Sequence, residues 1–173
     1  MKNKFLVGVA LLGFMAASCA GLMMTGEEKY GKSVPVITEV FASKQLRPGE
    51  TWKVYLKASD PDGDMRYITA VVYQPGGGDY PISRTRIRRE NGKELDGYIY
   101  LNTRGSAGYE FENFFTYWLT VQIQDKAGHH SEPVQFSVTF NLRAVQESPP
   151  PGVFKEQDLG PILVFLRPPG GFL

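Results

Sequence analysis

From residue 51 onward the apolar positions alternate. Trp52, Val54, Leu56 and Ala58 share one parity, and Lys53, Tyr55 and Lys57 share the other. That period of two predicts a strand with one buried face. Residues 67–73 are apolar at nearly every position, which predicts a central strand covered on both sides. Between these runs lies Asp60-Pro61-Asp62-Gly63-Asp64. Asp60 can accept from the backbone two residues on, Pro61 presets its own φ, and Gly63 tolerates the closing conformation, so the segment reads as a turn. Further on, Tyr117, Leu119, Val121 and Ile123 alternate with polar residues, as do Val134, Phe136, Val138 and Phe140. With Asp125-Lys126-Ala127-Gly128 turning the chain between them, they predict a hairpin with one apolar and one polar face.

Shorter strands are predicted at 34–41, 80–89 and 97–103, with turns at 47–50, 75–79 and 90–93. Residues 104–114, with Gly105 and Gly108, read as a loop. About seven short strands with turns between them predict an all-β protein, an antiparallel β-sandwich over residues 34–142. There is no long amphipathic helix and no strong internal repeat.

Three stretches carry a family resemblance: PGETWKVYLKASDPDGD at 48–64, YWLTVQIQDKAGHHS at 117–131, and Tyr117 placed two residues before Leu119. They resemble immunoglobulin-like or fibronectin type III-like bacterial surface domains, which implies an immunoglobulin-like sandwich with Tyr117 as its tyrosine corner. The chain has no paired cysteines, and Trp52 stands on the second strand rather than the third, so antibody-type core packing is not implied.

The amino terminus is of another kind. Lys2 and Lys4 precede an apolar stretch, residues 5–17, about as long as the core of an export signal and too short to span a bilayer. Ala16-Ala17-Ser18-Cys19 follows. Small residues before the single cysteine resemble a bacterial lipoprotein box, with Ala16 where that family prefers Leu. The resemblance implies a signal peptide over 1–18, a diacylglyceryl thioether and an N-acyl chain on Cys19, and outer-membrane sorting because Ala20, not Asp, follows. An exported chain with one cysteine cannot form an internal disulfide. Residues 19–33, polar and containing two glycines over 25–33, read as a flexible tether.

Composition changes the picture in two places. The formal net charge is +1, and without Lys2 and Lys4 the balance becomes 17 basic against 18 acidic residues. No net field of that size recruits nucleic acid. Residues 143–173 form a Pro-rich tail with an apolar run at 161–166, expected to dock as an edge strand because an exposed run of that kind invites aggregation.

Candidate chemistry is sparse. Asp60, Asp62 and Asp64 put three carboxylates within five residues. They look like the DPDGD loop of cadherin-like repeats, which implies calcium; the competing reading is a Pro-Gly turn with solvated acids. An EF-hand is excluded, because the twelfth position from Asp60 is Val71 rather than Glu. His129 and His130 sit in a polar turn near Asp125 and Ser131, without a nucleophile motif. Arg84, Arg86 and Arg88 share one face of a strand, either as a binding stripe for lipid phosphates, acidic glycans or an acidic partner, or as charge that protects an edge. Tyr98, Tyr100 and Trp118 have outward parity and are expected beneath the tail or a loop. The whole points to a non-enzymatic, lipid-anchored envelope protein with no cofactor, serving as an interaction or scaffolding module for an envelope partner. The alternative is a module for glycan binding or calcium-dependent adhesion.

Overall fold

The computed structural model describes residues 24–75, 78–103 and 116–166. The expected signal peptide over 1–18, Cys19 and the expected loop at 104–114 lie outside the described residues. Among those described, no helix is long and apolar enough to cross a membrane.

The protein is a two-layer β-sandwich. One sheet runs β1 (Val36–Ala42), β3 (Thr51–Ser59), β7 (Glu94–Asn102), β10 (Asp158–Pro161). The other runs β2 (Gln45–Leu46), β9 (Val134–Phe140), β8 (Thr116–Asp125), β4 (Met65–Gln74), β5 (Gly78–Asp79), with β6 (Ser83–Arg86) also paired to β4. In the immunoglobulin scheme β1, β3 and β7 take the places of strands A, B and E, and β4, β8 and β9 those of C, F and G. The strand order itself therefore makes the fold immunoglobulin-like. The sheets are not wholly antiparallel: β2 pairs in parallel with β9, and β10 in parallel with β7.

The core lies where the alternation puts it. Trp52, Val54, Leu56 and Ala58 on β3 face Leu119, Val121 and Ile123 on β8 as parts of one buried cluster. The indole N–H of Trp52 donates to Ser43 O at 2.9 Å, so its polar edge is satisfied inside the core. Tyr117 is fully buried and meets Phe140 edge-on at 5.3 Å. Its hydroxyl has no hydrogen-bond partner among the described residues, so the bond expected of a tyrosine corner is not seen there. Burial pushes that phenol up to about 12.

The segments on either side of the body carry structure of their own. The tether expected over 19–33 is ordered where it is described: α1 (Gly26–Tyr30) is closed by a capping box, with Glu28 N–H donating to Thr25 Oγ1 and Thr25 N–H donating to Glu28 Oε2 at 2.7 Å. After residue 142 the tail returns to the body, with β10 at the edge of its sheet beside β7. Ile162, Val164 and Leu166 enter the core cluster, and Ala144 is buried. β10 reaches β7 because Gly97 has no Cβ; one placed there would collide with Gln157 O.

The tail also covers the outer face of β3. Phe154 meets Tyr55 at 5.6 Å, and Glu156 accepts from both Tyr55 Oη (2.7 Å) and Lys53 Nζ (2.8 Å). The Lys53 contact holds Glu156 below the usual carboxylate range, and burial followed by the Glu156 contact pushes Tyr55 up to about 12. β3 is thus covered on both faces at Tyr55. β4 is less covered than predicted: Ile68, Ala70 and Val72 are buried, while Tyr73 on the other face is 42% exposed.

Candidate functional site

One end of the sandwich gathers most of the titratable chemistry. The turn after β3 forms as its residues require, with Gly63 N–H donating to Asp60 O and Asp62 N–H donating to Asp60 Oδ1 at 3.1 Å. Asp60 N–H is tied to Lys93 O at 2.9 Å. On the neighbouring hairpin, Met65 pairs with Asp125, so the end of β8 lies beside the start of β4. That register brings Asp125 to Asp64 across 61 residues of chain.

The result is a triad of buried carboxylates: Asp60, Asp64 and Asp125, each offering an oxygen within 4.8 Å of the others. Asp62, expected with them, is turned away. Its Oδ2 accepts the Ser33 N–H at 2.7 Å and lies against Gly31, whose φ of 108° suits glycine. Asp62 thus fastens the segment after α1 to the turn, and Asp125 takes its place in the acidic set.

The three acids are unequally satisfied. Asp64 Oδ2 accepts the Lys126 N–H at 3.0 Å. Asp125 Oδ1 accepts the N–H groups of Gly128 and His129, at 2.6 and 2.8 Å, and its Oδ2 lies 2.8 Å from His129 Nδ1. Asp60 Oδ2 is buried and has no donor among the described residues. Burial, and then the shared contact with Asp64, pushes the Asp60 carboxyl up to about 6. His129 is raised by Glu27 of α1, 3.3 Å from its Nε2, and then by Asp125.

The donor set suits a hard cation. Oxygens that all lie within 4.8 Å of one another are close enough to share one ion at calcium–oxygen distances of roughly 2.4 Å. Three carboxylates supply only part of the six to eight oxygens that calcium takes, so water or further backbone oxygens would have to complete the shell. Without a cation, a proton on Asp60 is the remaining way to relieve the pair.

The other candidate residues are placed as follows. His130 is exposed and bridges to Gln124. The Ser131 hydroxyl accepts the Ile123 N–H and donates to Glu132 O, so it is held by backbone rather than offered to His129. Arg84, Arg86 and Arg88 are exposed; Arg86 and Arg88 border a groove that Arg84 does not reach. Tyr98 is half-buried under the tail, with Lys53 Nζ 4.2 Å from its ring. Trp118 is not covered as expected: it is 46% exposed and sits directly across from Tyr73.

No described protein family matches the chain, and no curated protein does. Among solved structures it is similar to the PKD domain of an M14-like peptidase from a Thermoplasmatales archaeon, at 19% identity and TM-score 0.38, covering 63% of this chain and 96% of that one. It is also similar to a CARDB domain from Pyrococcus furiosus, determined in complex with di-metal ions, at 9% identity and TM-score 0.32, covering 64% and 88%. The class assigned here, an immunoglobulin-like β-sandwich, rests on the strand order rather than on these likenesses.

Proposed function

We propose that this protein is a non-catalytic module of the bacterial cell envelope, anchored to the outer membrane through acylated Cys19 and presenting its sandwich to an envelope partner. The observation that carries the reading is Cys19 itself, the chain's single cysteine, standing at the end of a basic, apolar and small-residue stretch ahead of an all-β body. α1 starts at Gly26, so the seven residues from Cys19 to Thr25 would hold the body within roughly 25 Å of the lipid. The engaged Ser131 hydroxyl supports the non-catalytic part of the reading. Cys19→Ser, followed by membrane fractionation and palmitate labelling, is the test. Release of the protein and loss of label are expected, and retention in the membrane fraction would overturn the anchor.

A second reading, a calcium-dependent module, is favoured by one observation: the orphaned Asp60 Oδ2 inside a triad of carboxylates.

A further inference from the structure

Beside the acidic turn lies an open groove of about 570 Å³. Arg66, Arg86, Arg88, Arg89 and Lys126 border it, and among the described residues no acidic one does. None of these five side chains is in an ion pair among the described residues.

The arrangement is built by backbone. Ile87 is buried and its N–H donates to Arg66 O at 2.9 Å, which pins the segment to the edge of β4. Arg86 and Arg88, of opposite parity to Ile87, are turned out. Asn91 N–H to Arg88 O and Met65 N–H to Gly92 O close the turn that carries Arg89. Lys126 arrives from the far side, after β8, with its Nζ 5.7 Å from the ring of Tyr30 on α1.

Protection of an edge strand accounts for Arg84 and Arg86 on β6, of which only Arg86 borders the groove. It does not account for cations that converge from β4, from the turn after β6 and from the β8–β9 connection. Like charges drawn together without a carboxylate repel one another until an anion joins them. Four of the five are arginines, whose planar forks match tetrahedral oxyanions two bonds at a time. We propose that this groove binds a compact phosphate-bearing anion with two or more negative charges. The source of the phosphate is either a free small molecule or a lipid headgroup. The inference stands whether or not Cys19 is acylated.

The test uses the full chain carrying Cys19→Ser, so that no acyl group contributes. Inorganic pyrophosphate is titrated calorimetrically at low ionic strength. Cosedimentation with phosphatidylglycerol vesicles, against phosphatidylcholine vesicles, forms the second arm. Saturable 1:1 binding of pyrophosphate is expected, weakened at least tenfold in Arg86→Ala/Arg88→Ala. Arg143→Ala, at the opposite end of the sandwich, should change it less than twofold. A melting temperature near that of the parent shows that the paired variant folds. Vesicle binding lost in the same pair identifies a headgroup; pyrophosphate binding without it identifies a free phosphate compound. Absence of saturable binding in both arms, binding undiminished in the pair, or capture of oligogalacturonate without pyrophosphate would each overturn the assignment.

Discussion

Asp125 binds His129 twice: its Oδ1 accepts the backbone N–H at 2.8 Å, and its Oδ2 lies 2.8 Å from the ring Nδ1. The same carboxylate takes the Gly128 N–H, so one fully buried side chain organises the whole turn after β8. Asp125→Ala should destabilise the protein by about 2–4 kcal/mol, because several donors to a charged group are orphaned together. Equilibrium urea denaturation measures this, and a loss below about 1 kcal/mol would mean that the turn is held by other contacts.

Acid titration should reveal the crowding of Asp60. Its folded value of about 6 stands above the ordinary 3.8. Between those values the folded protein retains a proton that the unfolded chain has released, so this group's contribution falls as pH rises from about 4 to 6 and stays low above. His129 acts in the same direction: its contribution is complete below its ordinary value and is lost as pH rises through its raised folded value. In the absence of divalent cations, wild-type stability relative to Asp60→Asn should fall between pH 4 and pH 7, on the order of 3 kcal/mol. A difference that does not vary with pH would show that Asp60 is not strained.

Calcium should reverse that penalty. At pH 7, millimolar calcium is expected to stabilise the protein by about 1–3 kcal/mol over a chelator control. The gain should shrink at pH 4, where Asp60 is protonated, and vanish in Asp64→Asn. A melting curve unmoved by calcium at pH 7 would rule calcium out as the occupant of the triad.

Asp62→Ala should leave any calcium response intact, since Asp62 serves Ser33 instead. It should cost about 1 kcal/mol and speed hydrogen exchange at the Ser33 amide. A lost calcium response would return Asp62 to the acidic set.

The tail provides a paired comparison within four residues. Ile162 is 3% exposed and Phe165 is 94% exposed. Ile162→Ala should cost about 2–4 kcal/mol and Phe165→Ala less than about 0.5. Similar losses at both positions would contradict the entry of Ile162 into the core.

Periodicity alone determined the two sheets' inner faces. A period of two permits one burial pattern per strand, and Trp52 to Ala58 and Tyr117 to Ile123 follow it because the alternative register would put those side chains in water. The DPDGD turn was legible for the same local reason, as Asp, Pro and Gly set its dihedrals without outside help. The capping box at Thr25 and Glu28 was present in the sequence too, but a five-residue helix with no buried residue leaves no periodic signal. Only the tertiary structure exchanged Asp62 for Asp125 in the acidic triad, because that choice depends on the Met65–Asp125 register across 60 residues. It likewise brought Arg66 and Lys126 to Arg86, Arg88 and Arg89, and laid the tail over Tyr55. Such pairings are set by which strand edges meet, a long-range packing outcome that no local spacing encodes.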